Sequence, residues 1–589
     1  MSTSHPELEH LIPAELADGR ELVRGAKQRA ASIPLGTSRY AEIHGVKSDR
    51  EYKERCRADG TITTYINLGY KTWAETREAL EEIVAAGERR NFRLDRVSLI
   101  PDRRMGLPPG LREEALAETG IMMYDEADWK GAARDTPVMP IWNDHNVGSP
   151  AATVNTEALL RAGFGYIGSL AQHQYGYPLW DDDAAQMERC VEAVAMIAQK
   201  RDAGVVLDSY VEDGFCASFH DLATFLGWCM FHRYVAEELI GAAHSQSFGS
   251  TFADPIRKQA HGLAMAAINA NRVPPSFTHG DTNSFGMEDD FDRNAVIVAT
   301  DVMYTVAREL KHPTGGAVHA TPVSEASRIP NVEELIESLV IANEAEQRAR
   351  ACPDIVDWGP IYAMRDRIVA GGKRVFSNLL RGLGEIGVDT RDPLQLLLAT
   401  RRLGAETIEE LFNAGEPDSG YPRGFAPVEP TDTLIRLLAA KDRVLAGLRE
   451  AGGLPDLSGI RVVAASNDIH EYGLFVLVEA LSACGASVTP LGTSVQSSEV
   501  AKASVEVAAD AVAVSTYNGM ALSLGRQLRE ELRKRGIDPR VYLGGRLNED
   551  LEEGEATDVR PMLRDEGIGA CDSVEEMVRG LRGELAARV

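Results

Sequence analysis

Residues 461–481 read RVVAASNDIHEYGLFVLVEAL. RVVAAS is an apolar, β-prone run and GLFVLVEAL a helical one, so a buried strand hands over to a helix across the polar stretch between them. Asp468, His470 and Gly473 fall at that handover in a D-x-H-x-x-G pattern. His470 can offer a neutral imidazole nitrogen to a metal. Asp468 can accept the proton on the other ring nitrogen, which fixes the tautomer and raises ligand basicity. Gly473 lets a bulky group approach the first helical turn. The handover is where a cofactor ligand would sit.

Downstream come ASVTPLG, SSEVAKASVEVAA, DAVAVSTYNG, LGRQLREELRKRG and RVYLGGRL. Short β-rich runs alternate with amphipathic helical stretches, the signature of a doubly wound α/β domain around a parallel sheet. Ligands of such sheets bind beyond the carboxyl ends of the strands. The motif loop, Ser515-Thr516-Tyr517 and Gly544-Gly545 all fall at such ends. Their short side chains leave a slot long enough for a nucleotide-like tail, inside which the Ser515 hydroxyl can hydrogen-bond.

On these residues, 458–589 resemble the flavodoxin-like (Rossmann-like) cobalamin-binding domain of B12-dependent mutases and methionine synthases. The resemblance implies that His470 replaces dimethylbenzimidazole as lower ligand of the cobalt. It also implies that the displaced tail threads the slot, with Asp468, His470, Gly473, Ser515, Gly544 and Gly545 as the binding residues. One position departs: the family's S-x-L reads Ser515-Thr516-Tyr517, so the tail pocket keeps its serine and changes shape beside it.

Composition bounds the rest. With 589 residues, 44% hydrophobic and 26% charged, the chain has core enough for two or more domains. A net charge of −27 disfavours a nucleic-acid surface and is accounted for by solubility. Seven cysteines without a C-x-x-C pair suggest reduced thiols in a cytoplasmic protein, and the absence of C-x-x-x-C-x-x-C argues against a radical SAM cluster. The opening MSTSHPELEHLIPAELADGR is too polar for a signal peptide, and no apolar run approaches a membrane span.

Residues 1–59 read as a helical extension and 413–457 as a Pro- and Gly-rich linker followed by one helix. Between them, residues 60–412 alternate strand-like runs (TITTYINLG, RVSLIP, TPVMPIW, FGYIGSL, GVVLDSY, PSFTHG, AVHATP) with helices, and end in a helical part over 332–412. Length and rhythm fit a TIM (β/α)8 barrel. Three stretches, AGFGYIGSLAQHQYGYPLWDD, FDRNAVIVATDVMYTVAREL and VHATPVSEASRIPN, resemble the catalytic subunit of glutamate mutase. The resemblance implies that Thr321, Pro322, Glu325 and Ile329-Pro330 contact the adenosyl ribose, and that Tyr175 and Pro178 belong to the active site.

The departures bear on the substrate. Of the three arginines with which that family clamps two carboxylates, only the segment PDRRMG retains any, as Arg103 and Arg104. The amine-directed glutamate falls on or beside Ser169, and the adenosyl-contacting lysine at Ala320, next to His319. A site that loses its forks loses affinity for a diacid, so glutamate is not the expected substrate. Asp144, His145, Asn146, His173, Tyr175, Tyr177, His244, Gln246, His279 and Asp281 stand near predicted strand ends. A single histidine there is more often structural than catalytic, but several at one barrel mouth point to a site. Asp144 to Asn146 also offers metal-type donors, without an accompanying set of partner ligands.

The expectation is an adenosylcobalamin-dependent radical mutase acting on a small carboxylic or amino acid. Its catalytic candidates are Arg103, Arg104, His145, His173, Tyr175 and Glu325, and it is expected to work as a homodimer without nucleic-acid or membrane partners. An aminomutase would need pyridoxal phosphate and a Schiff-base lysine, for which no site stands out. The rival is a corrinoid methyltransferase or methyl-carrier protein, which shares the motif but normally carries a four-helix cap before it. A B12-binding sensor would need a DNA-binding region that is absent from the sequence.

Overall fold

The computed structural model describes residues 8–280, 287, 289–352, 354–450, 452–467, 471–493, 495–517, 519–552 and 555–586. They form two compact units, Met1–Asp432 and Thr433–Val589.

The first unit contains β1 (Thr63–Leu68), β2 (Arg96–Leu99), β3 (Met139–Ile141), β4 (Tyr166–Ile167), β5 (Val206–Tyr210), β6 (His244–Ser247), β7 (Phe277–Thr278) and β8 (Ala317–His319). One sheet has the order β3-β2-β1-β8-β7 and another β4-β5-β6, with every pairing parallel. Isolated parallel bridges pair Trp142 with Ile167 and Phe248 with Thr278. Helices such as Trp73–Arg90, Asp183–Gln199 and Phe291–Lys311 bury one face against the strands. Seven strands lie within the runs read as strands. The eighth, β6, is HSQS, whose polar side chains are all buried. They are tolerated because they find partners: Ser245 donates to Asp208 at 2.6 Å, and Ser209 Oγ lies 2.8 Å from His244 Nε2.

The N-terminal helices are tied to the strands by buried charge. Arg96 on β2 reaches both Asp49 oxygens at 2.6 and 2.8 Å, and Lys53 donates to Ser276 O at 2.9 Å. Burial and the neighbouring Arg96 push the Lys53 amine down to about 7. Helices Val332–Ala351, Trp358–Glu385 and Pro393–Phe412 make up the helical part.

Residues 413–432, read as linker, belong to the first unit instead. After an antiparallel pair, β9 (Glu416–Pro417) and β10 (Phe425–Ala426), the chain lies down as a strap. Val428 N and Glu429 N donate to Asp221 at 2.9 and 3.0 Å, Glu429 accepts from Arg367 at 2.6 Å, and Asp432 accepts from Ala253 N and Asp254 N. Pro and Gly here mark turns within a docked segment; composition alone does not separate that from a free linker.

The second unit is a five-stranded parallel sheet of β11 (Arg461–Ser466), β12 (Ser487–Pro490), β13 (Ala511–Thr516), β14 (Arg540–Gly545) and β17 (Gly569–Ala570), ordered β12-β11-β13-β14-β17. An antiparallel ribbon, β15 (Asn548–Glu552) with β16 (Glu555–Asp558), follows β14. Val463, Ala465, Val512 and Val514 pack on one face; Val462, Ala464, Ala511 and Ala513 pack on the other. Burial on both faces explains the unbroken apolar runs. Counted within this unit, the order is 2-1-3-4-5, which puts the topological switch point between β11 and β13.

Candidate functional site

In the first unit, residues following β2 to β5 form one hydrogen-bonded network. Asp102 caps the short 3-10 helix Arg103–Gly106, and its two oxygens take the Arg104 guanidinium at 2.9 and 2.8 Å. The Arg104 fork is thus filled from within the chain. Arg103 is less committed. It donates to Gly176 O at 2.7 Å, sits 5.8 Å from the Tyr177 ring centre, and has Glu118 at 3.9 Å. The Tyr177 hydroxyl is 3.1 Å from His145 Nδ1, and His145 N donates to Gln172 Oε1 at 2.7 Å. Gln172 Nε2 in turn donates to Asp144 at 2.8 Å and to Asp213 at 3.2 Å.

Those two carboxylates thus share one Gln172 amide donor, which sets them side by side. Like charges so close in an enclosed site do not both ionise, so the pair holds a proton. Burial, then Asp144, raises Asp213 strongly. Tyr175 lies in the field of both carboxylates. His145 is pushed down to about 3 by burial and by Arg103, so it is neutral at ordinary pH. Glu325, in the turn after β8, is pushed up to about 7 by burial.

A second cluster is a stack of rings. Tyr65 stacks on His319 with centroids 4.6 Å apart, His319 lies 4.1 Å from His279, and His279 stacks on Tyr210 at 5.2 Å. Asn67 Nδ2 meets His279 Nε2 at 3.1 Å, and Thr321 Oγ1 meets His319 Nδ1 at 2.7 Å.

Four candidates stand apart from the network. His173 is fully buried, stacks on Trp228, and is flanked by Phe215 and His232; this ring faces core. Its strand-end position suggested a mouth residue, but the aromatic helix Leu222–Arg233 covers it. Ser169 caps the 3-10 helix Leu170–Gln174 and is fully buried. His244 opens β6 and Gln246 lies within it, so neither stands beyond the carboxyl end of that strand. Asp281 lies outside the described residues. Sequence reasoning missed Asp102, Gln172 and Asp213. The signal for Asp213 was present, as an acidic pair in YVEDG directly after a strand.

In the second unit Asp468 and His470 lie outside the described residues. The rest of the slot is on view. Gly473, in the first turn of the helix Glu471–Ala483, packs against Ser515: a Cβ there would meet Ser515 Oγ at 2.4 Å. The bulky neighbour that this glycine admits is therefore the serine of β13. Ser515 is paired in register with Gly544, where a Cβ would meet no described residue within 4 Å, and Thr516 with Gly545. Gly545 has φ +101°, and a Cβ there would meet Thr516 O at 2.3 Å. At the departing position, the Tyr517 ring lies 5.1 Å from the Arg546 guanidinium, on the wall of a cavity of about 330 Å³. A strand end cleared by glycines, with one hydroxyl inside it, fits an inserted nucleotide-like tail.

Residues 459–564 match the family of B12-binding domains, and through them the chain belongs to that family. More particularly, it is a cobalamin-binding protein whose C-terminal domain is similar to the sigma subunit of glutamate mutase. Glutamate mutase sigma subunit 1 of Haloarcula marismortui is 36% identical over 122 residues, 20% of this chain and 80% of that protein. Sigma subunit 2 of the same organism is 28% identical over 125 residues, 21% of this chain and 84% of that protein. A solved cobalamin-binding protein from Desulfitobacterium hafniense DCB-2 is 19% identical, over 26% of this chain and 68% of its own, with a TM-score of 0.19, too low to bear on the fold. Among the described residues no helix is long and apolar enough to cross a membrane.

Proposed function

We propose that this chain is an adenosylcobalamin-dependent mutase that rearranges the carbon skeleton of a small carboxylic or amino acid other than glutamate. One observation carries the reading: a glutamate mutase sigma-like domain shares its chain with an α/β unit in which strands β1 to β8 pair in parallel. The eight strands of that unit follow a cyclic order. β8 pairs with β1, and the bridges Trp142–Ile167 and Phe248–Thr278 join the two sheets. This order supports a (β/α)8 barrel, a fold that holds its sites at the carboxyl ends of its strands.

When bound, adenosylcobalamin would supply the radical that removes hydrogen from the substrate. The part of the chain itself is recognition and proton placement. His470, oriented by Asp468, is the proposed cobalt ligand, and Gly473, Ser515, Gly544 and Gly545 line the tail slot. Arg103 holds one substrate carboxylate, because Asp102 already occupies Arg104. Neutral His145, Tyr175 and Tyr177 offer hydrogen bonds beside it. The Asp144–Asp213 pair keeps one proton, and Glu325 gains or loses one near neutrality. With the other clamp arginines absent and Ser169 buried as a cap, recognition of glutamate has no basis here.

The test incubates the full chain, without oxygen, with adenosylcobalamin or methylcobalamin and a panel of small acids that includes glutamate, and follows products by NMR. A rearranged acid formed with the adenosyl form alone is expected. Methyl transfer with methylcobalamin, or efficient conversion of glutamate to 3-methylaspartate, would overturn the reading.

A further inference from the structure

A strongly basic cavity lies apart from the residues of the network above. It holds about 380 Å³ and opens where the last turns of the helices Pro255–Ile268 and Phe291–Lys311 meet the segments leading into β7 and β8. Arg57, Arg233, Arg272, Arg308 and Lys311 line it, and no Asp or Glu among the described residues does, in a chain whose net charge is −27. Two of the arginines are built in. Arg308 is 2% exposed and Arg233 is 7% exposed. Arg308 spends one Nη on Thr278 at 3.1 Å and Glu309 at 2.9 Å, and Arg233 pairs with Glu237 at 2.6 Å. Among the described residues, Arg308 Nε and Nη1 and Arg233 Nε have no hydrogen-bond acceptor. Gly262 makes room for the Arg308 fork, since a Cβ there would meet Nη1 at 2.2 Å. At the rim, Arg57, Arg272 and Lys311 have no carboxylate within ion-pair distance among the described residues.

Buried guanidinium donors with unspent hydrogens, ringed by unpaired cations, match an oxyanion in shape and charge. Phe248, Met265 and Pro275 add apolar patches, suited to a small organic body, to walls that also carry Gln246, Asn269 and His312. The geometry points to a binding site for a phosphate monoester, recognised through its phosphoryl group by Arg308 and Arg233 and through long-range charge by the rim. This inference is independent of the cobalamin reading. Because Thr278 bonds Arg308 and is followed directly by His279 of the ring stack, a bound anion also braces β7.

The experiment uses the full chain, with calorimetric titration of inorganic phosphate and of glycerol 3-phosphate and chloride as the ionic-strength control. Thermal unfolding is measured alongside. Submillimolar binding that raises the melting temperature is expected, as is a loss of about tenfold or more in the Arg272→Ala, Lys311→Ala double variant; because Lys311 also lies 5.4 Å from the Trp358 ring centre, the melt of that variant without phosphate is recorded as the control for its fold. Arg308→Lys, which keeps charge but loses the fork, is expected to weaken binding further. Tighter binding of glycerol 3-phosphate assigns the site to the ester, and equal binding assigns it to free phosphate. Absence of heat and of a melting shift at millimolar phosphate, or binding unchanged in the double variant, would refute the site.

Discussion

Asp102 separates two adjacent arginines into different jobs. Arg104 is chelated, so Arg104→Ala leaves the buried Asp102 carboxylate with the Arg104 and Glu118 backbone donors but without its countercharge, and should cost stability of about 1–3 kcal/mol, read by denaturant melts. Arg103→Ala should leave the melt nearly unchanged and raise KM by roughly tenfold to a hundredfold, the worth of one charge-assisted anchor. The opposite assignment of the two effects would show that the anchor has been misplaced. Glu325 gives a second test. Its folded pKa of about 7 lies above the ordinary 4.5, so the native state holds the proton more tightly than the unfolded chain does. Its contribution to stability is therefore present at low pH and is lost as pH rises through 4.5 to 7. Glu325→Gln removes that loss, so the melting temperature of the variant relative to the wild type should climb between pH 5 and pH 7.5. A constant difference across that range would mean that Glu325 titrates normally. An activity limb near pH 7 should vanish in the same variant.

At the level of strands and turns, the two adjacent glycines of β14 should respond differently. Gly545→Ala meets both a left-handed φ and the Thr516 carbonyl, and should destabilise the second unit by about 1–2 kcal/mol or more. Gly544→Ala meets no atom of the described residues within 4 Å, so the domain should fold normally while cobalamin binding, followed by the bound cofactor's absorbance, falls. Equal cofactor binding in Gly544→Ala and the wild type would place the tail elsewhere. The second unit was legible because its strands are buried on both faces and spell apolar runs, and because Ser515, Gly544 and Gly545 fall at strand ends. The first unit was less so. β6 escaped since Ser245 and His244 bury polar groups in mutual pairs, which reads locally as loop. His173 misled because strand-end position does not reveal which helix covers a ring, and the 413–432 strap misled because docking is a tertiary fact. Asp144 and His145 were flagged, yet Gln172, which joins them to Asp213, carries no sequence mark of its role.

For the whole molecule, the account is that one chain brings both the cofactor domain and the reacting unit. A homodimer is expected, with a sedimentation mass of twice the 64.0 kDa chain; a monomer at micromolar concentration would contradict it. His470→Ala should remove the histidine nitrogen hyperfine coupling from the EPR spectrum of the bound cofactor in its Co(II) form. A coupling that persists would assign the lower ligand to another residue. The central claim is radical rearrangement through the adenosyl group, and isotope transfer tests it most directly. With adenosylcobalamin tritiated at the 5′ carbon and the acid found to rearrange, tritium should appear in both recovered substrate and product. Rearrangement or methyl transfer that leaves all the tritium on the cofactor would contradict the account.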